Sequence, residues 1–319
     1  MINIFPLKLL FKSFIRLFIP NRKTYTKYRQ SGEIKNCARY CYSVWLRHIV
    51  KAYENKFIDA IPESVGELGP GDSLGTGIAA LLSGSRKYVA FDAQPNLETE
   101  SNLLILEELI NLFSNQSDIP DDKEFPKIKP KLNDYAFPKY LFPNENLKRN
   151  LSPKKIENIK FHIKNYQAKS SSIKYITQEY VDKKIDEFKF DMIFSQATLE
   201  HIDNLKRTYE FMSYALSSSG FISHQIDFKS HNSANSWDGH WQYSYLFWKF
   251  IRGNRKWFIN RYPCEKHIKL IKDNELINLK VERYESKPTF NRTKLAKTFK
   301  SISDLDRKTS GAFLQASKK

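Results

Sequence analysis

The sequence predicts an α/β protein built on a mainly parallel sheet, and three segments carry this prediction. A short apolar run beginning at Ser64 ends at an acidic residue, Glu67, and continues into a glycine turn and an apolar helical pattern. A second apolar run ends at Asp92, and a third is opened by Asp191. Strand, glycine turn and helix start, in that order, form the ligand-holding edge of an open α/β sheet.

The glycine turn departs from the dinucleotide-binding fingerprint. Residues 64–77 read S-V-G-E-L-G-P-G-D-S-L-G-T-G. Gly69 and Gly71 allow positive φ and leave no Cβ between the backbone and a ligand. In G-x-G-x-x-G the third glycine would fall at Leu74, but here it comes one residue later, at Gly75.

Two segments carry a resemblance to a known family. The E-L-G-P-G-D stretch, Glu67 to Asp72, resembles motif I of the class I S-adenosylmethionine (SAM)-dependent methyltransferases. The segment F-D-M-I-F-S-Q-A-T-L-E-H, Phe190 to His201, resembles the strand and L-E-H turn of family members that act on small molecules, lipids and sugars. The resemblance implies a seven-stranded, Rossmann-like class I methyltransferase sandwich, a parallel sheet with an antiparallel last strand plus N-terminal helices, and SAM as the cofactor.

The resemblance also implies a set of cofactor-binding residues. Glu67 would lie near the methionine amino group, with the glycine turn beside the ligand. Asp92 ends the second strand about 20 residues after the glycines, where an acidic side chain can accept both ribose hydroxyls. The adenine contact stays open, because Thr177 and Gln178 stand where the family often has an acidic residue. The predicted set is Glu67, Leu68, Gly69, Pro70, Gly71, Asp72, Gly75, Asp92, Thr177, Gln178, Ser195, Gln196 and His201.

Candidate bases follow the next predicted strand, Phe221–Phe228. The carboxyl end of that strand faces the substrate in this architecture, and the base candidates there are His224, Asp227, His231 and His240. Each could take a proton from a hydroxyl or amine acceptor during methyl transfer. A structural network of paired polar groups is the alternative. Histidine and aspartate are also metal ligands, but their spacing matches no familiar metal site, so the sequence predicts none.

Local patterns predict further elements in the second half of the chain. Apolar periodicity indicates a helix over Leu205–Ala215 and another over Lys294–Phe299. The segment Gly311–Ala316 is predicted to be the terminal strand. A late strand–helix–strand order suits the antiparallel last strand that the resemblance implies.

The predicted domain organisation has three parts. Residues 1–30 form a basic amphipathic extension, in which Lys8, Lys12 and Arg16 recur at four-residue spacing beside an aromatic, apolar face. This pattern disfavours a membrane-spanning helix and favours one lying in the membrane surface, or else packed on protein. Residues 31–61 are predicted to be a helical cap, and residues 62–319 the methyltransferase domain. A proline- and lysine-rich insertion over residues 114–172 is interpreted as a substrate-side element, with a solvated linker as the alternative.

The amino-acid composition limits which binding partners and which cellular compartment we expect. The formal charge of +17 over 319 residues suits nucleic acid, anionic lipid or a phosphorylated substrate, although a lysine-rich solvated surface explains it equally. The three cysteines are too few for a disulfide scaffold and fit a reducing compartment. We therefore expect a cytoplasmic protein, with peripheral attachment to the inner face of the cytoplasmic membrane through residues 1–27.

The expected function is SAM-dependent methyl transfer to a small polar acceptor, such as a sugar or a lipid-linked intermediate of cell-surface polymer synthesis. The charge keeps RNA methylation open, but S-Q-A-T stands where amino-methylating DNA enzymes carry N/D-P-P-Y/F. A dinucleotide-dependent oxidoreductase would also use the glycine turn and Asp92, yet it would not explain L-E-H. A non-catalytic SAM-binding regulator is a further alternative.

Overall fold

A computed structural model describes residues 37–93, 97–177 and 188–318. The predicted basic extension over residues 1–30, the first residues of the predicted cap and Gln178 lie outside these ranges. In the part of the chain that is described, no helix is both long enough and apolar enough to cross a membrane.

One sheet of seven strands organises the described ranges. Its strands are β1 Ser64–Leu68, β2 Lys87–Phe91, β3 Ile173–Ile176, β4 Phe190–Gln196, β5 Leu216–Asp227, β6 Ile277–Glu285 and β7 Thr309–Ser317. Their order across the sheet is β3-β2-β1-β4-β5-β7-β6. Strands β1 to β5 are parallel, and β7 is inserted antiparallel between β5 and β6. From β1 the chain adds β2 and β3 on one side, and it then crosses back to add β4 on the other side of β1. The connections after β1 and β4 therefore leave in opposite directions, which opens a ligand crevice at the carboxyl ends of these two strands.

Helices cover both faces of the sheet. The helices are α1 Ala38–Glu54, α2 Gly75–Ser83, α3 Thr99–Ser114, α4 Asn144–Asn150, α5 Pro153–Lys164, α6 Leu205–Ala215, α7 Tyr245–Arg252, α8 Cys264–Asp273 and α9 Asp304–Lys308. Helices α1 to α5 contribute to one hydrophobic core, and α6 and α8 contribute to the other. Strand β4 shows how the sheet separates the two: Met192 and Phe194 belong to the first core and Ile193 to the second. Side chains alternate between faces along a strand, so a strand covered on both faces is apolar throughout.

The predicted insertion is folded against α1. Residues 114–172 contain α4 and α5, and Phe137, Leu141 and Phe142 of this stretch are buried in the first core. The solvated-linker interpretation is therefore wrong. Its prolines and lysines suggested an unpacked segment, but the buried aromatic residues between them supply the apolar area that packing requires.

The helix predicted over Lys294–Phe299 is replaced by two separate 3₁₀ turns, Arg292–Lys294 and Lys297–Phe299. Between the turns the backbone is extended, and the Ala296 amide donates a hydrogen bond to the carbonyl of Trp241 over 3.0 Å. Leu295 and Phe299 pack on the Trp241 ring. Tertiary packing thus overrides the local helical pattern, whereas the helix predicted over Leu205–Ala215 is found with those bounds.

Candidate functional site

The turn after β1 has the backbone conformation that its glycines permit. Gly69 and Gly71 have φ of +68° and +75°, values that side chains with a Cβ rarely adopt. A Cβ on Gly69 would also lie 2.5 Å from Cγ2 of Thr198, while a Cβ on Gly71 would meet no atom within 4 Å. The turn therefore packs on the segment after β4 at Gly69 and leaves its backbone accessible to a ligand at Gly71.

The next two glycines serve packing. A Cβ on Gly75 would lie 2.3 Å from Sγ of Cys41 in α1, and a Cβ on Gly77 would lie 2.0 Å from Cζ of Tyr88 in β2. These glycines allow α2 to approach α1 and the sheet closely. The structure thus places Gly75 against α1 and among the buried residues of α2, and its predicted contact with the cofactor stays a prediction.

Glu67 lies near the carboxyl end of β1 with only 3% of its surface exposed. Its Oε2 accepts a hydrogen bond from the Tyr88 hydroxyl over 2.5 Å. Burial raises the pKa of Glu67 to about 8, and the negative charge of Asp92 acts in the same direction, while the Tyr88 hydrogen bond opposes them. A buried carboxyl group in this state is suited to receive a cationic group, which would favour its ionised form.

Asp92 follows β2 directly at the same edge of the sheet. Its amide donates to the carbonyl of Ile176, the last residue of β3, over 2.9 Å, and its Oδ1 accepts from the amide of Ala93 over 2.6 Å. Thr177 comes directly after Ile176 and is half-buried. The parallel strands therefore bring Glu67, Asp92 and Thr177 to one edge, as predicted from their positions in the sequence.

The side chains of Ser195 and Gln196 lie on opposite faces of the sheet, because side chains alternate between faces along a strand. Ser195 is completely buried, and its hydroxyl lies 2.8 Å from Nδ1 of His224. This placement argues against contact between Ser195 and a cofactor. Gln196 is half-buried at the end of β4, with its amide oxygen 3.1 Å from Nε2 of His48 and its amide nitrogen donating to the carbonyl of Lys129 over 3.2 Å. Gln196 thus links α1 and the insertion at the carboxyl edge.

His48 was missed by sequence reasoning. It lies on α1, fully buried, with Nδ1 2.7 Å from the hydroxyl of Ser223 in β5. Burial lowers its pKa to about 4, although the bond to Gln196 opposes the shift. Helical periodicity indicates that this position is buried, but its polar partners lie far away in the sequence and no local pattern could have identified them.

The structure brings two base candidates together beside L-E-H. Asp227 ends β5, and its Oδ2 lies 3.4 Å from Nε2 of His231. Burial opposes ionisation of Asp227, but His231 and Lys229 outweigh it and lower the pKa of Asp227 to about 2. The His231 ring lies 5.0 Å from that of His201, which is held in a 3₁₀ turn (Leu199–His201) after β4. Nδ1 of His201 donates to the carbonyl of Trp257 over 2.9 Å.

The other two base candidates are buried. His224 is fully enclosed, and burial pushes its pKa well below the usual value. His240 is 1% exposed, and burial followed by the charge of Arg261 lowers its pKa to about 3. Enclosed neutral imidazoles cannot readily exchange protons with a substrate, so their placement favours a structural role. Asp227 and His231 are therefore the better-placed pair.

Arg261 is a second residue that the sequence did not indicate. It is 8% exposed, and its Nη1 donates to the carbonyls of His240 and Tyr243. Its guanidinium lies 4.5 Å from the centre of the Trp248 ring, and burial lowers its pKa to about 10. Within the described ranges, no carboxylate forms an ion pair with it. A substrate group carrying negative charge would complement this buried cation.

Comparisons with known proteins found similar solved structures, whereas no family model and no curated protein matches the sequence. A candidate SAM-dependent methyltransferase from Listeria monocytogenes is similar at 14% identity and a TM-score of 0.39, over 84% of this chain and 98% of the other. Phosphoethanolamine N-methyltransferase 2 from Haemonchus contortus, in complex with phosphomonomethylethanolamine and S-adenosylhomocysteine (SAH), is 12% identical with a TM-score of 0.41. That alignment covers 84% of this chain and 52% of the Haemonchus enzyme, so the chain spans about half of it.

A third similar structure is magnesium protoporphyrin IX methyltransferase from Synechocystis with bound SAH, at 9% identity and a TM-score of 0.41, over 97% of this chain and 94% of the other. The fold class itself follows from the strand order. The order β3-β2-β1-β4-β5-β7-β6 with β7 antiparallel is the class I methyltransferase arrangement. The predicted fold class is confirmed.

Proposed function

We propose that the protein binds SAM in the crevice at the carboxyl ends of β1, β2 and β4 and transfers its methyl group to an acceptor. One observation carries this proposal. A buried carboxyl at Glu67, the open glycine turn at Gly71 and the carboxylate of Asp92 meet at one edge of the sheet. These groups suit, in turn, an ammonium group, a polar ligand approaching the backbone, and a pair of ribose hydroxyls. SAM combines all three features.

The chemistry is an in-line displacement. A lone pair of the acceptor atom attacks the sulfonium methyl carbon, the new bond to carbon forms as the carbon–sulfur bond breaks, and SAH leaves as a neutral thioether. Alignment of the two reactants supplies most of the rate, and a base removes the acceptor proton. His231 beside Asp227 is the pair assigned to that proton, because the carboxylate stabilises the imidazolium that forms.

For the acceptor, we propose a small polar molecule that carries negative charge. Arg261 supports this assignment, since its buried guanidinium is surrounded by Trp248, Phe299 and backbone carbonyls. A phosphorylated sugar, or a lipid-linked intermediate of cell-surface polymer synthesis, has both the charge and a face that packs on aromatic rings. The excess of lysine and arginine over the whole chain would attract the same class of substrate.

Residues 1–27 are proposed to hold the protein at an anionic membrane surface on the cytoplasmic side, and this proposal rests on the sequence. Their basic and aromatic pattern is that of a helix lying in the headgroup region. In co-sedimentation with anionic vesicles, the full chain should bind and a chain beginning at Asn21 should bind more weakly. Neutral vesicles are the control. Equal binding of the two chains to anionic vesicles would reject the proposal.

The cofactor assignment is tested by calorimetric titration of the full-length protein with SAH, NAD and NADP. SAH should bind, and Asp92→Ala should weaken its binding by about tenfold or more, because hydrogen bonds to a charged group are each worth about 1.5–3 kcal/mol. Asp59→Ala, an exposed aspartate before β1, is the matched control and should bind like the wild type. If NAD or NADP binds and SAH does not, the protein is a dinucleotide-binding protein and the proposal is rejected. SAH binding without turnover of any acceptor would favour a regulator.

A further inference from the structure

Three metal-ligating side chains from two separate loops meet at the carboxyl edge of the sheet. Among the described residues, Glu200, His201 and His231 each offer one ligand atom, and these atoms all lie within 4.8 Å of one another. Glu200 is buried, and the two histidines are half-buried, so an ion could reach the cluster from solvent. We propose that these three residues bind a divalent transition-metal ion.

The ring contacts of the two histidines support this assignment. Nδ1 of His201 donates to the carbonyl of Trp257 over 2.9 Å, so the proton of the neutral ring is on Nδ1. Nε2 of His231 lies 3.4 Å from Oδ2 of Asp227, which leaves Nδ1 for an ion. Metal-binding histidines almost always donate their other ring N–H to a carbonyl or carboxylate, because this sets the tautomer and the ring orientation. His201 has such a partner, and Nε2 of His231 lies in ion-pair contact with the Asp227 carboxylate without forming a hydrogen bond.

The turn that carries two of the ligands is firmly anchored. The amide of Asn260 donates to the carbonyl of Glu200 over 2.7 Å. The side-chain amide of Asn260 donates to the carbonyls of Leu199 and Ile202, each over 2.8 Å. Glu200 itself is only 3% exposed. A buried carboxylate on a rigid turn, facing two imidazoles, is stabilised by a cation between them.

The donor set selects the kind of ion. Two imidazole nitrogens and one carboxylate oxygen favour Zn²⁺ and its first-row neighbours over Mg²⁺ and Ca²⁺, which prefer oxygen ligands. Three protein ligands leave coordination positions open for an oxygen or nitrogen of the acceptor. His231 cannot bind the ion and act as the base at the same time, because both use the lone pair of Nδ1; in the metal-bound protein an acceptor oxygen or nitrogen on the ion would lose its proton more readily instead. Metal binding does not depend on the proposed methyl transfer, but a role for the ion in holding the acceptor rests on it.

The test measures metal binding by the full-length protein after chelator treatment and dialysis. We expect one Zn²⁺ per chain by calorimetry, and visible absorption bands when Co²⁺ is added instead. Glu200→Gln and His231→Asn should each weaken binding by at least tenfold. Asparagine suits the positive φ of +44° at position 231, so this variant should fold. Asp227→Asn, which removes the carboxylate beside Nε2 of His231 but none of the three ligands, should weaken binding by about 10–100-fold.

His162→Asn, a histidine on α5, is the matched control and should bind Zn²⁺ like the wild type. The proposal is rejected if the wild type binds no stoichiometric Zn²⁺, or if the Glu200 and His231 variants bind it as well as the wild type. Titration with SAH on the same samples separates the two proposals. Zn²⁺ binding without SAH binding would reject the methyltransferase function and keep the metal site.

Discussion

Glu67 shows how the position of one residue in the sheet changes its chemistry. β1 lies between β2 and β4, so the Glu67 backbone pairs on both sides and its side chain is shielded from water. Burial raises its pKa from 4.5 to about 8. The folded state therefore prefers the protonated form. The stability that this preference contributes is present below the unfolded pKa and is lost as pH rises through about 8.

Glu67→Gln tests this interpretation of the carboxyl group. Glutamine keeps an oxygen that can accept from Tyr88 but cannot ionise, so the variant should lose less stability than the wild type between about pH 6 and about pH 9. Urea unfolding at the two pH values measures the difference. Glu63→Gln, an exposed neighbour paired with Arg86, is the control and should follow the wild type. Parallel pH profiles for Glu67→Gln and the wild type would contradict the prediction.

At the scale of elements, α1 and the insertion are held together by one buried cation. Arg47 is fully buried in α1 and donates to the carbonyls of Pro120 and Pro130 and to the carboxylate of Asp122. These acceptors lie between α3 and α4, outside any helix or strand. The same insertion reaches the carboxyl edge of the sheet through the Lys129 carbonyl and Gln196. Arg47 thus positions a segment that borders the candidate site.

Arg47→Met should therefore destabilise the fold strongly. The methionine fills similar volume but removes the Arg47 hydrogen bonds to the buried carbonyls of Pro120 and Pro130, and each buried polar group left unpaired costs about 1–3 kcal/mol. Arg39→Met is the matched control, because Arg39 lies on the same helix and pairs with Glu124 of the insertion at the surface. Its loss should cost about 1 kcal/mol or less. Urea unfolding compares the two, and equal losses would contradict a special role for Arg47.

At the scale of the whole molecule, buried histidines couple folding to pH. Burial lowers the pKa of His48 to about 4 and that of His240 and His267 to about 3, and His224 falls well below its usual value. Each is lowered from 6.5, so each contributes stability that is present above about pH 6.5 and is lost as pH falls through its folded pKa. The raised pKa of Glu67 has the opposite effect on the free energy of unfolding, because its contribution grows as pH falls from about 8 toward 4.5.

We expect the free energy of unfolding to fall steeply between about pH 6.5 and about pH 4. Each buried histidine contributes up to about 1.4 kcal/mol per pH unit, because unfolding takes up one proton at each. Urea unfolding across this range measures the slope. His48→Gln, which keeps a polar group near Ser223 and Gln196, should show a shallower slope than the wild type. A stability profile that stays flat below about pH 6.5 would contradict the burial of these side chains.

Much of the fold was predictable because its elements are determined by short-range patterns. The helix over Leu205–Ala215 was predicted with its observed bounds, since its apolar residues repeat with the helical period. The proximity of Glu67 and Asp92 was predictable because the carboxyl ends of parallel strands lie at the same edge of a sheet. Ser195 and His224 were predicted at the site but lie in the core, because the face that each strand residue presents depends on pairing with its neighbours.

By itself the sequence determined the fold class, the glycine turn and the acidic residues at the strand ends, because periodicity, backbone freedom and chain order are properties of neighbouring residues. Only the tertiary structure decided that Arg47, His48 and Arg261 are buried, and that His231 meets Glu200 and His201. Burial and proximity arise from contacts between segments distant in the chain. They decide which groups lose water, shift their pKa values or share a ligand, so the chemistry of the site was settled by packing.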